Sequence, residues 1–540
     1  MKPFAAPVDD ILFTLEHVAG AAARLPEWDS ELAAEVIGHF AAFAEAEIAP
    51  LDESGDAQGA RLVDGRVRMP DGFRALYRNY AEQGWMGLTA PEAYGGQGLP
   101  APVLGATHEI FSGANQALQM VCALVPGAVS TLMHFGTDAQ KERYIPNLAS
   151  GAWLSTMCLT EPGAGSDLGA VRTRAVEEDG VWKITGEKIF ISGGDQDMSD
   201  GVLHLVLART GDMNSGTKGL SLFVVLDTLE DGSRNAVSVA RIEEKMGLHA
   251  SPTCQMVFDG AVADLVGQPG DGLKAMFTMM NHARIDVALQ GVAHATRAGD
   301  VARAYAADRK QGRDAATGAP VTIDRHADVA RMLTEQDALA LGCRALCHIA
   351  MVTLEAGDDP DLVDFLTPLA KYFCTESGMA AASLGIQVLG GYGYLHEYRV
   401  EQSYRDCRIA AIYEGTNGIH ALTIATRMLR NKGGAAADAF AGFVDGALAA
   451  SGGAGASLAS LKAVWDEARA LVLAANDPAE LAHPFMELTC QLAFLACWER
   501  IAANADKAND PDRIGRLATW ARRHALARGR YWFDLHQSAA

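Results

Sequence analysis

RDCRIAAIYEGTNGIHALTI, residues 405–424, decides how the rest of the chain is read. The apolar run Ile409, Ala410, Ala411, Ile412 leads through Tyr413 to a single carboxylate, Glu414. Gly415-Thr416-Asn417 then breaks the run and caps a new helix through His420, Leu422 and Ile424. A carboxylate flanked by apolar side chains has its pKa raised by desolvation, which makes it a better proton acceptor than a solvated Glu. The same Glu also suits the first turn of a helix, where it complements the macrodipole. This stretch alone leaves both readings open.

The chain around it has 540 residues, 49% of them hydrophobic. That is too long for one hydrophobic core, and about two to four domains are expected. A formal net charge of -22 repels nucleic acid and anionic membrane at long range, which leaves a soluble enzyme as the expected class. The nine cysteines include no C-x-x-C pair, so neither a disulfide framework nor a metal site is expected. Cys343 and Cys347, one helical turn apart, read as core packing. The N-terminal MKPFAAPVDDILF carries acids where a signal peptide would need basic residues before an apolar core, and no apolar run is expected to reach membrane-spanning length. A cytoplasmic location with reduced thiols is the expectation.

Periodicity divides the chain. Residues 8–155 read as helices, among them 31–48 and 73–82, with the Gly- and Pro-rich turn GWMGLTAPEAYGGQGLP at 84–100. After Gly151 the pattern changes to short β-rich segments at 171–178, 182–192, 203–209, 220–226, 237–244 and 253–261. These are led by CLTEPGAGSDLGAV at 158–171, where Pro162, Gly163 and Gly165 allow a ligand to approach the backbone N–H groups and Ser166 adds a hydroxyl. A plain turn is the alternative. Helical spacing returns at Gly272, with a long helix expected over 276–313. Arg284 interrupts its apolar face and needs an anionic or carbonyl partner, or else a neighbouring Glu. A helical pair is expected at 325–356 and 361–384. Beyond Arg427 a Gly/Ala-rich stretch leads to helices at 457–474, 478–505 and 511–530. The last carries Arg513, Arg516, Arg522, Arg523, Arg528 and Arg530, read as a solvated helix face or an oligomer contact.

The strings TEPGAGSD and IYEGT, with GWMGLTAPEAYGGQGLP before them and IQVLGGYGYLHEYRVEQSYRDC between them, occur here in the order found in the acyl-CoA dehydrogenase family. The resemblance covers roughly residues 30–430. It implies an α+β multidomain protein: a helical N-terminal domain (1–155), a central β-domain (156–270), a C-terminal four-helix bundle (271–430) and an additional helical C-terminal domain (431–540). It also implies FAD held between the β-domain and the helices, and α,β-dehydrogenation of an acyl-CoA thioester with Glu414 as the base. The resembling FAD-binding positions are Cys158, Leu159, Thr160, Gly165 and Ser166 in the loop, and Phe190-Ile191-Ser192, where relatives usually carry Trp-Ile-Thr. Arg309 is carried over for the pyrophosphate, although the aromatic-Gly pair that follows in many relatives is missing here. Gln387, Gly390 and Gly391 match a loop that touches a partner subunit's FAD, and Thr416 and Asn417 complete the set. Ser166, Arg284 and Gly415 match substrate-binding positions. In the family the enolate is stabilised by the backbone N–H of the Glu and a flavin ribose hydroxyl.

The implied partners are an acyl-CoA substrate and an electron-transfer flavoprotein as acceptor, in a homodimer or a dimer of dimers, with neither nucleic acid nor membrane. The opening PVDDILFTLEHV, the stretches at 244–261 and 279–291 and the long tail look most like the branch containing 3-methylmercaptopropionyl-CoA dehydrogenase, the enzyme of dimethylsulfoniopropionate breakdown. A medium- or long-chain fatty acyl-CoA dehydrogenase is the alternative substrate reading. Two further alternatives are an alkylation-response flavoprotein whose extra helical domain meets DNA, favoured by the Arg cluster and opposed by the net charge, and an oxidase passing electrons to oxygen.

Overall fold

The computed structural model describes residues 3–314 and 316–539, with the side chains of 278–282 and 538–539 outside that description. The chain forms two compact units that alternate along the sequence: a sheet unit of Ala46–Leu99 and Ala114–Ala283, and a helical unit of Met1–Glu45, Pro100–Gly113 and Arg284–Ala540.

In the sheet unit the helix Pro50–Gln58 is followed by a two-stranded hairpin, β1 (Arg61–Val63) and β2 (Arg66–Arg68), which differs from the helical reading of 8–155. The signal was present: Asp64-Gly65 both take positive φ (51° and 74°), the two-residue turn that matches strand twist. Its main sheet comprises β3 (Trp153–Cys158), β4 (Arg174–Glu178), β5 (Val181–Ser192), β6 (Gly201–Arg209), β7 (Leu220–Leu226), β8 (Val237–Ile242) and β9 (Thr253–Val266). The order is β3-β6-β4-β5-β9-β7 with β8 added to β9, and a β6–β7 pairing closes the sheet on itself. Closure explains the apolar runs LHLVLAR and LSLFVVL: β6 is buried throughout and β7 nearly so, so both faces need apolar side chains. The sequence locates β4 to β9 well and misses β3, which lies at the change of period.

The helical unit is built on Gly272–Asp308, of which residues from Arg284 belong to it, together with Ala327–Ala356 and Pro360–Leu389. The first ends at Asp308 rather than at Arg313. Lys310–Arg313 instead pairs with Pro320–Thr322 as the hairpin β10–β11, whose register shifts between Lys310 and Arg313, where Gly312 takes φ 82°. Helices Gly272–Asp308 and Pro360–Leu389 cross closely because two glycines meet: a Cβ at Gly291 would lie 2.2 Å from the Cys374 carbonyl oxygen, and one at Gly378 would lie 2.6 Å from that of Gly291. Ala327–Ala356 corrects the expectation that no apolar run reaches membrane-spanning length. It is long and apolar enough, and most of its apolar window is buried inside the protein. It also carries the buried Arg344, whose guanidinium donates to Glu109 at 2.9 and 2.6 Å.

The tail forms helices Ala435–Ala450, Ala456–Ala474, Ala482–Ala503 and Pro511–Ala539. Phe440 stacks on Phe365 (4.5 Å between centroids) and meets the fully buried Trp465 edge-on, which fuses the tail to the bundle through one aromatic core. The arginine cluster is more than a solvated face. Arg513 donates to Asp10 at 2.9 Å and to Asp337 at 2.5 Å, and Arg522 is paired with the buried Glu499 at 2.6 Å.

Candidate active site

The sequence-predicted positions fall into one constellation in each unit. In the helical unit, helix Val400–Cys407 runs into a tight turn at Arg408–Ala411. Glu414 and Gly415 follow with φ of 54° and 92°. Two consecutive left-handed residues reverse the chain, and Thr416 then caps the helix Asn417–Thr423 by accepting from Ile419 N–H. Only glycine suits the second position, since a Cβ there would lie 2.9 Å from His420 Nε2. A glutamate at the first has no such freedom, and non-glycine residues held in this region typically cost about 1–3 kcal/mol and cluster at functional sites.

Several side chains hold this reversal. His420 donates from Nε2 to the Glu414 carbonyl oxygen at 3.2 Å. Burial pulls the imidazole down to about 3, with Lys371 and Arg284 adding to the effect, so it is neutral. Tyr413 donates its hydroxyl to Gln290 Oε1. The fully buried Lys371 donates to the Gly415 carbonyl at 2.7 Å and to Asn417 Oδ1 at 2.9 Å. Asn417 in turn donates from Nδ2 to Glu376 at 2.7 Å and Thr375 at 3.2 Å. Its side chain is therefore committed inside the protein, a role the sequence reading did not give it.

Glu414 itself stands half-buried, with Oε2 sealed from solvent and accepting no hydrogen bond among the described residues. Burial pushes its carboxyl up to about 6, while Arg284 and Lys371 pull the other way. The result is a carboxylate still ionised at neutral pH, more basic than a solvated one, and free to take a proton. A second, exposed group lies on the same unit: the Arg309 guanidinium sits 5.8 Å over the Tyr392 ring, beside Gln387, Gly390 and Gly391. The structure thus brings Arg309 together with the glycine loop, as the motif order alone does not.

In the sheet unit, β3 ends at the buried Cys158, the buried Leu159 follows, and the loop turns at Glu161–Ala164 through reciprocal backbone bonds of 3.0 Å. The loop and β5 are tied directly. Ile189 N–H donates to Thr160 O at 2.9 Å, while the buried Lys188 bonds Leu159 O at 2.9 Å and Glu161 Oε1 at 2.8 Å. At that point the β5–β9 register shifts between Lys188 and Ile191, and Phe190 takes φ 59°. The bulge turns Phe190 outward to 61% exposure while Ile191 stays buried. In the same loop and strand Ser166 is exposed, Thr160 and Ser192 are half-buried, and an added Cβ at Gly163 or Gly165 would meet no protein atom, which leaves the loop backbone open to approach. Lys188 was missed in the sequence, although it falls on the inward face of β5 with Ile184, an unusual place for a lysine.

Family models match the chain in three consecutive pieces: acyl-CoA dehydrogenase N-terminal domain at 30–152, middle domain at 156–261 and C-terminal domain at 270–429. The chain is 40% identical to the 3-methylmercaptopropionyl-CoA dehydrogenase of Ruegeria pomeroyi over 94% of its own length and 93% of that protein. It is 36% identical to a broad-specificity linear acyl-CoA dehydrogenase of Mycobacterium tuberculosis, over 80% and 76% of the two chains. Among solved structures it shares the fold of an acyl-CoA dehydrogenase from Bacillus anthracis in complex with FAD, with TM-score 0.78 at 22% identity over 95% and 90% of the chains.

Proposed function

This chain belongs to the acyl-CoA dehydrogenase family of FAD-dependent oxidoreductases, and from that premise we propose that its substrate is 3-methylmercaptopropionyl-CoA, oxidised to methylthioacryloyl-CoA. The observation that carries this choice is the 40% identity extending over 94% of the chain, tail included.

Glu414 is the base. Its unpartnered Oε2 and raised pKa suit it to remove the α-proton of the thioester. The backbone N–H of Glu414 is offered to the thioester oxygen as enolate charge develops, and Arg284 lies close enough to bias the same region electrostatically. What bound FAD supplies is an acceptor for the β-hydride. The residues that fit it are Phe190, as the apolar face, with Thr160, Ser166 and Ser192 as hydroxyl partners beside the open glycines of the loop. Arg309, Gln387, Gly390 and Gly391 form the exposed group suited to a phosphate-bearing part of the cofactor. The electrons leave to an electron-transfer flavoprotein.

Two outcomes are expected. Because Glu414 works deprotonated and burial raises its pKa, kcat/KM rises with pH through a midpoint near 6 and is lost below it. A solvated Glu would place that limb near 4.3, and a midpoint there would refute the buried-base geometry. In the substrate, a β-sulfur lone pair stabilises the positive character that grows as hydride departs. A pocket sized for a methylthio group gains little from longer chains, whose extra methylenes are worth about 0.8 kcal/mol each only where they can be buried. With one electron acceptor throughout, kcat/KM for the methylthio substrate is expected to equal or exceed that for butanoyl-CoA and clearly exceed that for palmitoyl-CoA. A steady rise from butanoyl to palmitoyl would instead assign the chain to long-chain oxidation.

A further inference from the structure

We propose that Lys371 is the positioning residue for the base, anchoring the reversal that presents Glu414 and holding its carboxylate in the deprotonated form. This inference rests on the assignment of Glu414 as base and deepens it.

The geometry is that of a designed anchor. Lys371 lies on helix Pro360–Leu389 with no exposed surface, where a lysine is rarely found unless it is bonded. Two of its three donors are occupied, both by the segment that carries the base: the Gly415 carbonyl at 2.7 Å and Asn417 Oδ1 at 2.9 Å. Those acceptors flank Thr416, the cap of the following helix, so one ammonium fixes the chain on both sides of the cap. Asn417 is oriented for this by Glu376 and Thr375, one helical turn along from Lys371. All of these bonds hold the segment that directly follows Glu414, whose backbone takes φ 54°.

The charge has a second effect. Glu414 is faced by Arg284 and Asp286 from helix Gly272–Asp308, by Lys371, and by the neutral His420 from helix Asn417–Thr423. Lys371 is faced by Glu414, by Glu376 of its own helix and by Arg284. From the tail helix Ala482–Ala503, Glu487 and His483 bond the neighbouring Tyr372. Burial pulls Lys371 down to about 7, against the opposing pull of Glu414 and Glu376. The cation is therefore expensive to keep where it is, and its removal releases Glu414 to bind a proton more tightly.

The test compares Lys371→Met, which loses both anchor and charge, with Lys371→Gln, which loses the charge but keeps an N–H donor. In each, the Glu414 midpoint is read directly by ¹³C-carboxyl NMR of glutamate-labelled protein, its signal identified by its loss in Glu414→Gln. The rate of flavin bleaching on anaerobic addition of 3-methylmercaptopropionyl-CoA is measured in parallel. The expected result is a midpoint raised by about one pH unit in both variants, a tenfold change in proton affinity. Bleaching at pH 7 should slow by about tenfold or more in Lys371→Met and less in Lys371→Gln, with the KM for substrate moving much less than the rate. An unchanged Glu414 midpoint in either folded variant overturns the proposal. If Lys371→Met does not fold, Lys371→Gln decides alone. The base assignment fails on a different result, bleaching that survives Glu414→Gln.

Discussion

Glu414→Gln is expected to slow flavin bleaching by substrate by about 10²- to 10⁴-fold, the range typical of a general base, while leaving FAD bound. The substitution keeps length, planarity and the backbone, so His420 still reaches the Glu414 carbonyl and Lys371 still anchors Gly415. It removes only the basic oxygen. An amide cannot accept the α-proton at neutral pH, and among the described residues the other carboxylate bonded to this segment, Glu376, is occupied by Asn417. The acidic limb near pH 6 should vanish from the residual activity along with the rate. Bleaching at the wild-type rate would show that a different group takes the proton.

The second large effect is expected from Lys188→Met. Lys188 is fully buried and Glu161 is 7% exposed, and the two meet at 2.8 Å. Removing one partner leaves a carboxylate in a dry site, which typically costs about 3–5 kcal/mol. Burial raises the Glu161 carboxyl, and it is Lys188, helped by the backbone N–H of Arg172, that holds it below its ordinary value. The same lysine ties Leu159 to β5, so the loss should appear as a lower denaturation midpoint of the sheet unit and as weaker FAD retention. The double variant Lys188→Met with Glu161→Gln should recover a good part of the stability, because the stranded charge is gone. A single variant as stable as the wild type would mean the pair contributes nothing net.

Both lysines mark the limit of what the sequence offers. The motifs themselves were legible: the reversal at Gly415, the cap at Thr416, six of the seven main strands and the helix at 73–82 all follow from local preference and period. Local signals extend to the Asp64-Gly65 turn, although the surrounding helical pattern masked it. What local signals lack is the long-range burial of a charge. A lysine in LAKYF reads as the polar face of a helix until the reversal at Glu414–Gly415 and the start of helix Asn417–Thr423 close over it. Nor can periodicity reveal that Glu414 and Phe190, neither of them glycine, take positive φ, since the surrounding structure imposes that strain. The alternation of the two units escapes a linear reading for the same reason.

That alternation has a consequence for how the protein is made. Asp10 is bonded to Arg513 across a separation of 503 residues. At a ribosomal rate of about 5–20 residues per second, the partner emerges roughly 25–100 s after the aspartate. Throughout that time the N-terminal segment, with Ile11, Leu15, Ile37 and Phe40 destined for full burial, has no finished core to enter. Nascent chains of this protein should therefore depend on holding chaperones far more than a chain whose domains close one after another, and a late stop codon that removes only the last helix would strand the first one.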